Sequence, residues 1–300
     1  MKLVYETHLC DDYILSLDAS PKDDNILALG CMDGTVRLFH LQQRREVRSY
    51  PTAYGPAWSV GFSPSGELLA IGSTRYVRVI EPVSGAVLAD LDKLNNDVFG
   101  VAFSGDEKLL AVCCHDANLR VYTVRPLDVH ERILTSSWSL LQKICCGRQT
   151  SRTSFRSDKR TVVFGCDDGT LRWLDGWNAR HAGEVFRPHA YPMVVCCAGE
   201  LDWCGWTDGR VSAYHNGDER HSFSVSDWNV MSLHVLADRV IAADAEGHLC
   251  LHSLEGRPLE RQEHAHEATI TAVRAVSGYV ASVGWDGYLR LWRADSETLV

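Results

Sequence analysis

Apolar and polar residues alternate along most of this chain in short segments. After each of a series of turn-like sequences, two apolar residues are separated by one residue that is usually polar. These pairs are Val36/Leu38, Val77/Val79, Leu119/Val121, Leu171/Trp173, Val211/Ala213, Leu249/Leu251 and Leu289/Leu291. A period of two places such side chains on one face of a β-strand. A more continuous apolar segment precedes each turn, for example 26–29 and 109–112, so the pattern predicts a succession of β-hairpins.

The hairpin recurs at a regular spacing. Its turns lie at Asp33-Gly34, Asp116-Ala117, Asp168-Gly169, Asp208-Gly209, Glu246-Gly247 and Asp286-Gly287, with a shortened turn at Ser73-Thr74-Arg75. A repeat of about 40–45 residues that carries a hairpin is typical of a propeller blade. We therefore predict an all-β, seven-bladed β-propeller that occupies the whole chain, 1–300, as a single domain. The predicted blade cores are about 13–50, 57–91, 98–144, 149–187, 192–225, 229–263 and 269–293.

A more polar segment follows each hairpin except the last and is predicted to form a fourth, outer strand. These segments are 46–50, 86–91, 137–144, 185–187, 220–225 and 258–263. The last repeat has no such segment, whereas residues 2–7 are strand-like and have no hairpin of their own. We therefore predict that 2–7 complete the seventh blade and close the ring, which leaves no long sheet edge exposed. Residues 124–137 are predicted to be an inserted or extended loop.

These features resemble the WD-repeat (WD40) propeller family, and the resemblance covers essentially the whole chain. In that family a His, a Ser or Thr, the turn Asp and a Trp form a hydrogen-bonded tetrad within a blade. The last repeat has His266, Ser282, Asp286 and Trp292 at the matching positions. The fifth repeat retains His189 and Asp208, and the remaining repeats lack the His. The resemblance therefore implies a degenerate member of the family, with a structural tetrad in its last blade.

Composition narrows the class of protein. The chain has 45% hydrophobic residues and a net charge of -9, which fits a globular protein and disfavours general nucleic-acid binding. Its 11 Cys show no Cys-x-x-Cys spacing, so we expect buried thiols in a reducing compartment, with no metal site. The N-terminal residues do not resemble a signal peptide, and no segment has the length of about 18 apolar residues that a spanning helix needs. We expect a soluble protein of the cytoplasm, with the nucleus as the alternative.

The sequence offers little catalytic chemistry. It lacks Gly-x-Ser-x-Gly, a Walker-type loop and a dinucleotide-binding glycine motif, and no cofactor is implied. His266, Ser282 and Asp286 have the residue types of a catalytic triad, but blade stabilisation explains the same set. We expect no enzyme activity. A WD-repeat hydrolase of the diphthine methylesterase type is an alternative that rests on the family resemblance.

One segment is strongly basic. Lys143, Arg148, Arg152, Arg156, Lys159 and Arg160 are opposed there by Asp158 alone. A solvated face is the ordinary explanation of such a segment. The functional alternative is a site for phosphate, an acidic peptide or RNA, whose binding would weaken steeply with salt.

In the family that the chain resembles, partners dock on the narrow top face, where the hairpin turns and the loops that enter the inner strands emerge. The repeats place the following residues there: Tyr13, Leu15, Met32, Trp58, Arg75, Asp97, Phe99, His115, Asp167, Met231 and Trp285. Exposed aromatic and Met side chains are typical binding anchors; the alternative for Trp58 and Phe99 is packing between blades.

We therefore predict a non-catalytic scaffold, a monomeric propeller that holds a protein or peptide partner within a larger complex and does not bind membranes. A narrower version is the substrate receptor of a cullin-type ubiquitin ligase. The Trp-Asp-x-Arg signature of those receptors is not matched, because Trp292 is followed by Arg293.

Overall fold

In the computed structural model, which describes residues 1–52, 54–91, 93–124, 138–146 and 149–293, the strands form seven separate four-stranded antiparallel sheets. The first three blades consist of β2 (Ile14–Ala19), β3 (Ile26–Cys31), β4 (Thr35–His40) and β5 (Arg45–Pro51); β6 (Ser59–Phe62), β7 (Leu69–Ser73), β8 (Tyr76–Ile80) and β9 (Val87–Asp90); β10 (Val98–Phe103), β11 (Leu109–Cys114), β12 (Asn118–Thr123) and β13 (Ser139–Cys145).

The remaining strands follow the same plan. They are β14 (Thr150–Phe155), β15 (Thr161–Cys166), β16 (Thr170–Asp175) and β17 (His181–Phe186); β18 (Pro192–Ala198), β19 (Leu201–Trp206), β20 (Arg210–His215) and β21 (Asp218–Ser224); β22 (Val230–Val235), β23 (Arg239–Asp244), β24 (Leu249–Ser253) and β25 (Pro258–Gln262); β26 (Ile270–Val276), β27 (Tyr279–Gly284) and β28 (Tyr288–Arg293), with β1 (Lys2–His8). The predicted all-β, seven-bladed fold is confirmed. The predicted loop 124–137 lies outside the described residues except for Val124.

The ring closes as the sequence predicts. Strand β1 pairs antiparallel with β28, from Lys2 opposite Arg293 to His8 opposite Tyr288, so the last sheet has the order β1-β28-β27-β26. Each inner strand contacts the inner strand of the next blade, and β26 contacts β2. The inner strands therefore surround a central axis.

The hydrophobic core lies between the blades. Among the described residues, seven clusters of buried side chains each combine residues of two adjacent blades. The cluster between the seventh and first blades, for example, joins Val283 and Leu289 to Ile14 and Leu29. Alternation along each strand supplies both faces of a blade, because successive side chains point to opposite sides.

The hairpin turns of the third and seventh blades share a left-handed residue despite their difference in sequence. Gly287 has φ 74° and Ala117, which replaces glycine in the third blade, has φ 64°. Residues other than glycine rarely adopt this left-handed backbone conformation. The Oδ1 atom of Asp116 accepts the backbone N–H of Asn118 at 3.2 Å, and this bond holds the turn in place.

Candidate functional site: an aromatic funnel at the centre of the ring

A cavity of about 440 Å³ opens at the end of the ring where loops lead into the inner strands. We call it the funnel. It is lined by most of the residues that the sequence assigned to the top face: Tyr13, Leu15, Met32, Trp58, Phe99, His115, Asp167, Met231 and Trp285. Arg75 and Asp97 do not line it; Arg75 is exposed and Asp97 is half-buried.

Aromatic side chains form two groups around the mouth of the funnel. Tyr13 and Trp285 stack with their ring centroids 5.3 Å apart, across the junction of the first and seventh blades. Phe99 lies 4.9 Å from Trp58 and 3.9 Å from His115, centroid to centroid. Burial lowers the pKa of His115, so this ring is neutral at pH 7.

The aromatic side chains differ in exposure. Tyr13 is 42% and Trp285 44% exposed, which is high for large side chains that stack on each other. Trp58 and Phe99 are half-buried, and the indole Nε1 of Trp58 lies 3.3 Å from the hydroxyl of Thr74. Both rings face the funnel as well as the neighbouring blade.

The fifth blade contributes wall residues that the sequence assignment omitted. Tyr191, Pro192 and Met193 line the funnel, at the start of β18. The repeat pattern contains this signal, because Tyr191-x-Met193 corresponds to Tyr13-x-Leu15 and Asn229-x-Met231. No residue at the start of this inner strand is among the top-face positions predicted from the sequence.

A second cavity of about 330 Å³ lies further along the axis and is lined by backbone and side chains of the inner strands. Arg152 on β14 lines both cavities. Arg274 on β26 lines the lower one, where its Nε atom lies 3.1 Å from the Oδ1 atom of Asp18. Burial first, and then the Arg274 charge, lower the pKa of His234 in this cavity to about 3.

The tetrad residues of the last blade are joined by hydrogen bonds. Trp292 Nε1 donates to Ser282 Oγ at 2.8 Å, and Ser282 Oγ lies 2.7 Å from His266 Nε2. His266 Nδ1 lies 2.9 Å from Asp286, whose carboxylate also accepts from Arg290 at 2.5 Å. The neutral imidazole donates its Nδ1 proton to the Asp286 carboxylate, so Nε2 accepts the hydroxyl proton of Ser282. Ser282 is fully buried and engaged on both sides, so this serine is not presented to a substrate.

In the fifth blade, the retained His189 and Asp208 are not joined to each other. His189 is exposed, with φ 64°, and makes no hydrogen bond with Asp208. Arg187 takes its place and donates to Asp208 at 3.2 Å and to Ser212 at 3.0 Å. The fifth blade therefore has no tetrad of the kind seen in the last blade, since Cys204 and Tyr214 stand in place of the hydroxyl and the indole.

The basic segment does not form one surface within the described residues. Lys143 is exposed on β13, whereas Arg152 faces the central axis. Arg156 pairs with the buried Asp202, which also accepts from Trp173 Nε1 at 2.6 Å, and Arg160 pairs with Asp175. Arg148 lies outside the described residues. The basic residues diverge because they lie on different elements: Lys143 is on the outer strand β13, Arg152 is on the inner strand β14, and Arg156 and Arg160 are in the connection between β14 and β15.

One group of three metal-type ligands occurs among the described residues, at Cys10, Cys31 and Asp33, whose ligand atoms lie within 4.8 Å of one another. A closed zinc site normally has four ligands. The Asp33 carboxylate is already bonded to Thr35 and Arg37, both at 2.6 Å. This arrangement fits a turn that anchors a carboxylate better than a metal site.

The described part of the chain contains no helical stretch with the length and apolar character needed to cross a bilayer.

Comparison with known proteins supports the repeat assignment. The model of the WD domain, G-beta repeat, family matches residues 1–40, 90–123 and 256–293. Telomerase protein component 1 of Rattus norvegicus is 22% identical over 335 aligned residues, which cover 89% of this chain and 12% of that protein.

Two further relatives align over shorter stretches. The U3 small nucleolar RNA-associated protein 4 homolog of Mus musculus is 29% identical over 110 residues, 33% of this chain and 16% of that protein. Coronin-7 of Bos taurus is 32% identical over 132 residues, 40% of this chain and 14% of that protein. The chain therefore spans only a small part of the length of the curated relatives it matches.

Proposed function

Because this chain belongs to the WD-repeat propeller family, we propose that it is a non-catalytic scaffold that holds a protein or peptide partner in the funnel as a subunit of a larger assembly. The exposed, stacked pair Tyr13 and Trp285 at the mouth of an apolar funnel carries this proposal. Clustered aromatic side chains that remain partly in water are typical anchors of protein interfaces.

The relatives support one part of the proposal, that the protein is a subunit of a larger assembly. The rat relative is named as a component of telomerase and the mouse relative as a protein associated with a small nucleolar RNA. We carry over only membership of a larger assembly, and we propose the cytoplasm or the nucleus as its compartment.

The two alternatives have less support. RNA or phosphate binding by residues 143–160 would need a shared basic surface, and the described arginines of that segment are separated or paired with acids. Esterase activity would need an accessible nucleophile, and Ser282 is buried and bonded. Hydrolysis of simple esters that disappears in Ser282→Ala, in a variant that remains folded, would favour the enzyme.

The test is affinity capture from native lysate with the wild-type chain and with Trp58→Ala plus Trp285→Ala. Each truncation should weaken partner binding by about 2 kcal/mol, so the co-purifying protein should be lost. Trp177→Ala is the matched control, because Trp177 is also exposed, at 39%, but does not line the funnel. Far-UV circular dichroism checks folding, and undiminished capture by the folded double variant would refute the proposal.

A further inference from the structure

Arg152 is a charged side chain at the junction of the two central cavities. In the described part of the chain no carboxylate lies within 4.0 Å of its guanidinium, and it makes no hydrogen bond with the protein. Burial, followed by the charge of Arg274, lowers the pKa of Arg152 to about 10. The side chain therefore remains positively charged at pH 7 in a site that disfavours its charge.

The charge of the neighbouring Arg274 is balanced by an acidic partner. Arg274 pairs with Asp18, and the other oxygen of Asp18 accepts the backbone N–H of Phe62 at 2.9 Å. His234 is neutral at pH 7 because its pKa is about 3. Among the described residues, the charged side chains along the axis below the funnel are thus two guanidiniums and one carboxylate, so one positive charge is unmatched.

The surroundings limit the kind of anion that could match this charge. Asp167 lies on the funnel wall, and both Asp97 and Asp167 influence His115 electrostatically. The whole chain has a net charge of -9. Polyanions such as RNA would be repelled at the mouth, whereas a single carboxylate that is carried by apolar groups would enter with little repulsion.

We propose that Arg152 binds the C-terminal carboxylate of a peptide partner whose last side chains are apolar and pack in the funnel. The planar guanidinium matches a carboxylate in a two-point contact. The end of a peptide enters the funnel as a single backbone strand, whereas an internal acidic residue brings in the backbone on both of its sides. The funnel has a volume of about 440 Å³, which is at the small end of ligand pockets. This inference rests on the proposed function.

The test begins with selection on the wild-type protein from two libraries of randomised peptides, one displayed with free C-termini and one displayed as internal loops. A selected peptide is then synthesised as the free acid and as the C-terminal amide, and binding is measured by fluorescence anisotropy. The proteins are the wild type, Arg152→Met, Arg152→Lys, Trp285→Ala and the control Trp177→Ala, each checked for folding by thermal melting.

We expect the acid to bind the wild type at least ten-fold more tightly than the amide, since the amide cannot form the charged hydrogen bonds with the guanidinium. In Arg152→Met the acid should weaken at least ten-fold and the two forms should bind equally, which assigns the preference to this side chain. Arg152→Lys should retain part of the preference.

Three results would overturn the inference: equal binding of acid and amide to the wild type, an acid preference that persists in Arg152→Met, or binders that come only from a library of internal loops. If Trp285→Ala weakens peptide binding and Arg152→Met leaves it unchanged, this inference is overturned and the proposed function stands. Binding that depends on Arg152 and not on Trp285 would instead contradict the proposed aromatic anchor.

Discussion

Replacing Arg152 by Met should stabilise the folded protein. Arg152 lies at the junction of the two axial cavities without a described acidic partner, so its charge costs free energy in the folded state and none in the unfolded chain. Methionine has a similar length and no charge, and its flexible side chain fills irregular gaps. Removal of the charge should therefore raise the free energy of unfolding at pH 7.

The magnitude follows from the pKa of the guanidinium. Burial lowers this pKa from its ordinary value to about 10, and a difference of one in pKa corresponds to about 1.36 kcal/mol. The upper limit is thus about 3 kcal/mol, and water in the open cavities should reduce the gain to about 1–2 kcal/mol. Because the folded-state pKa is the lower one, the cost is fully present below about pH 10 and disappears as the pH rises toward the ordinary pKa of arginine.

Equilibrium urea unfolding at pH 7, followed by tryptophan fluorescence and circular dichroism, measures the change. Arg274→Met is the matched control in the same cavity. It should lose about 2 kcal/mol, because it leaves the Asp18 carboxylate without its cationic partner. A loss of more than about 1 kcal/mol in Arg152→Met, beside the expected loss in Arg274→Met, would refute the reasoning and indicate that protein groups already stabilise Arg152.

Three other predictions concern stability. Asp286→Asn should lose about 3 kcal/mol in urea unfolding, because the carboxylate that accepts from both His266 and Arg290 is nearly buried; a loss below about 1 kcal/mol would show that the tetrad adds little. Burial alone would raise the pKa of Asp286, but the hydrogen bonds with His266 and Arg290 hold this pKa below its usual range. The stabilisation should therefore be present near neutral pH and lost in acid. Deletion of residues 2–8 should lower the melting temperature sharply, since β28 loses its partner strand, and a synthetic peptide of residues 1–9 should restore part of it; an unchanged melting curve contradicts the pairing. His234 stays neutral in the folded state down to about pH 3, whereas the unfolded chain takes up its proton near pH 6.5, so it should contribute up to about 2 kcal/mol to the stability lost between pH 7 and pH 5; His234→Leu should lose less over this interval, and equal losses contradict the assignment.

The fold could be predicted from the sequence because its determinants are local and repeated. Period-two alternation and acidic turns identify each hairpin, and the missing outer strand of the last repeat identifies residues 2–7 as its partner. Blade two was predicted despite its shortened turn, in which Arg75 adopts φ 63°. Each of these signals involves neighbouring residues or one simple count of strands.

The candidate site was predicted only in part, because it depends on contacts between distant blades. Trp58, Phe99 and Trp285 follow from their positions in the repeats. The isolation of Arg152 does not, since it depends on which side chains the other blades direct to the axis. The pairing of Arg156 with Asp202 joins residues 46 positions apart, and in the fifth blade it is Arg187 that pairs with Asp208.

The pairing of β1 with β28 has a consequence for biosynthesis. Lys2 cannot pair with Arg293 until Arg293 has emerged from the ribosome. Synthesis of the residues between them takes about 15–60 s at the usual elongation rates. Until then the apolar flanks of the first and sixth blades, which later pack against the seventh, are open to water. A nascent chain of this protein therefore passes through a prolonged stage that exposes hydrophobic surface, when chaperones can bind and neighbouring chains can aggregate.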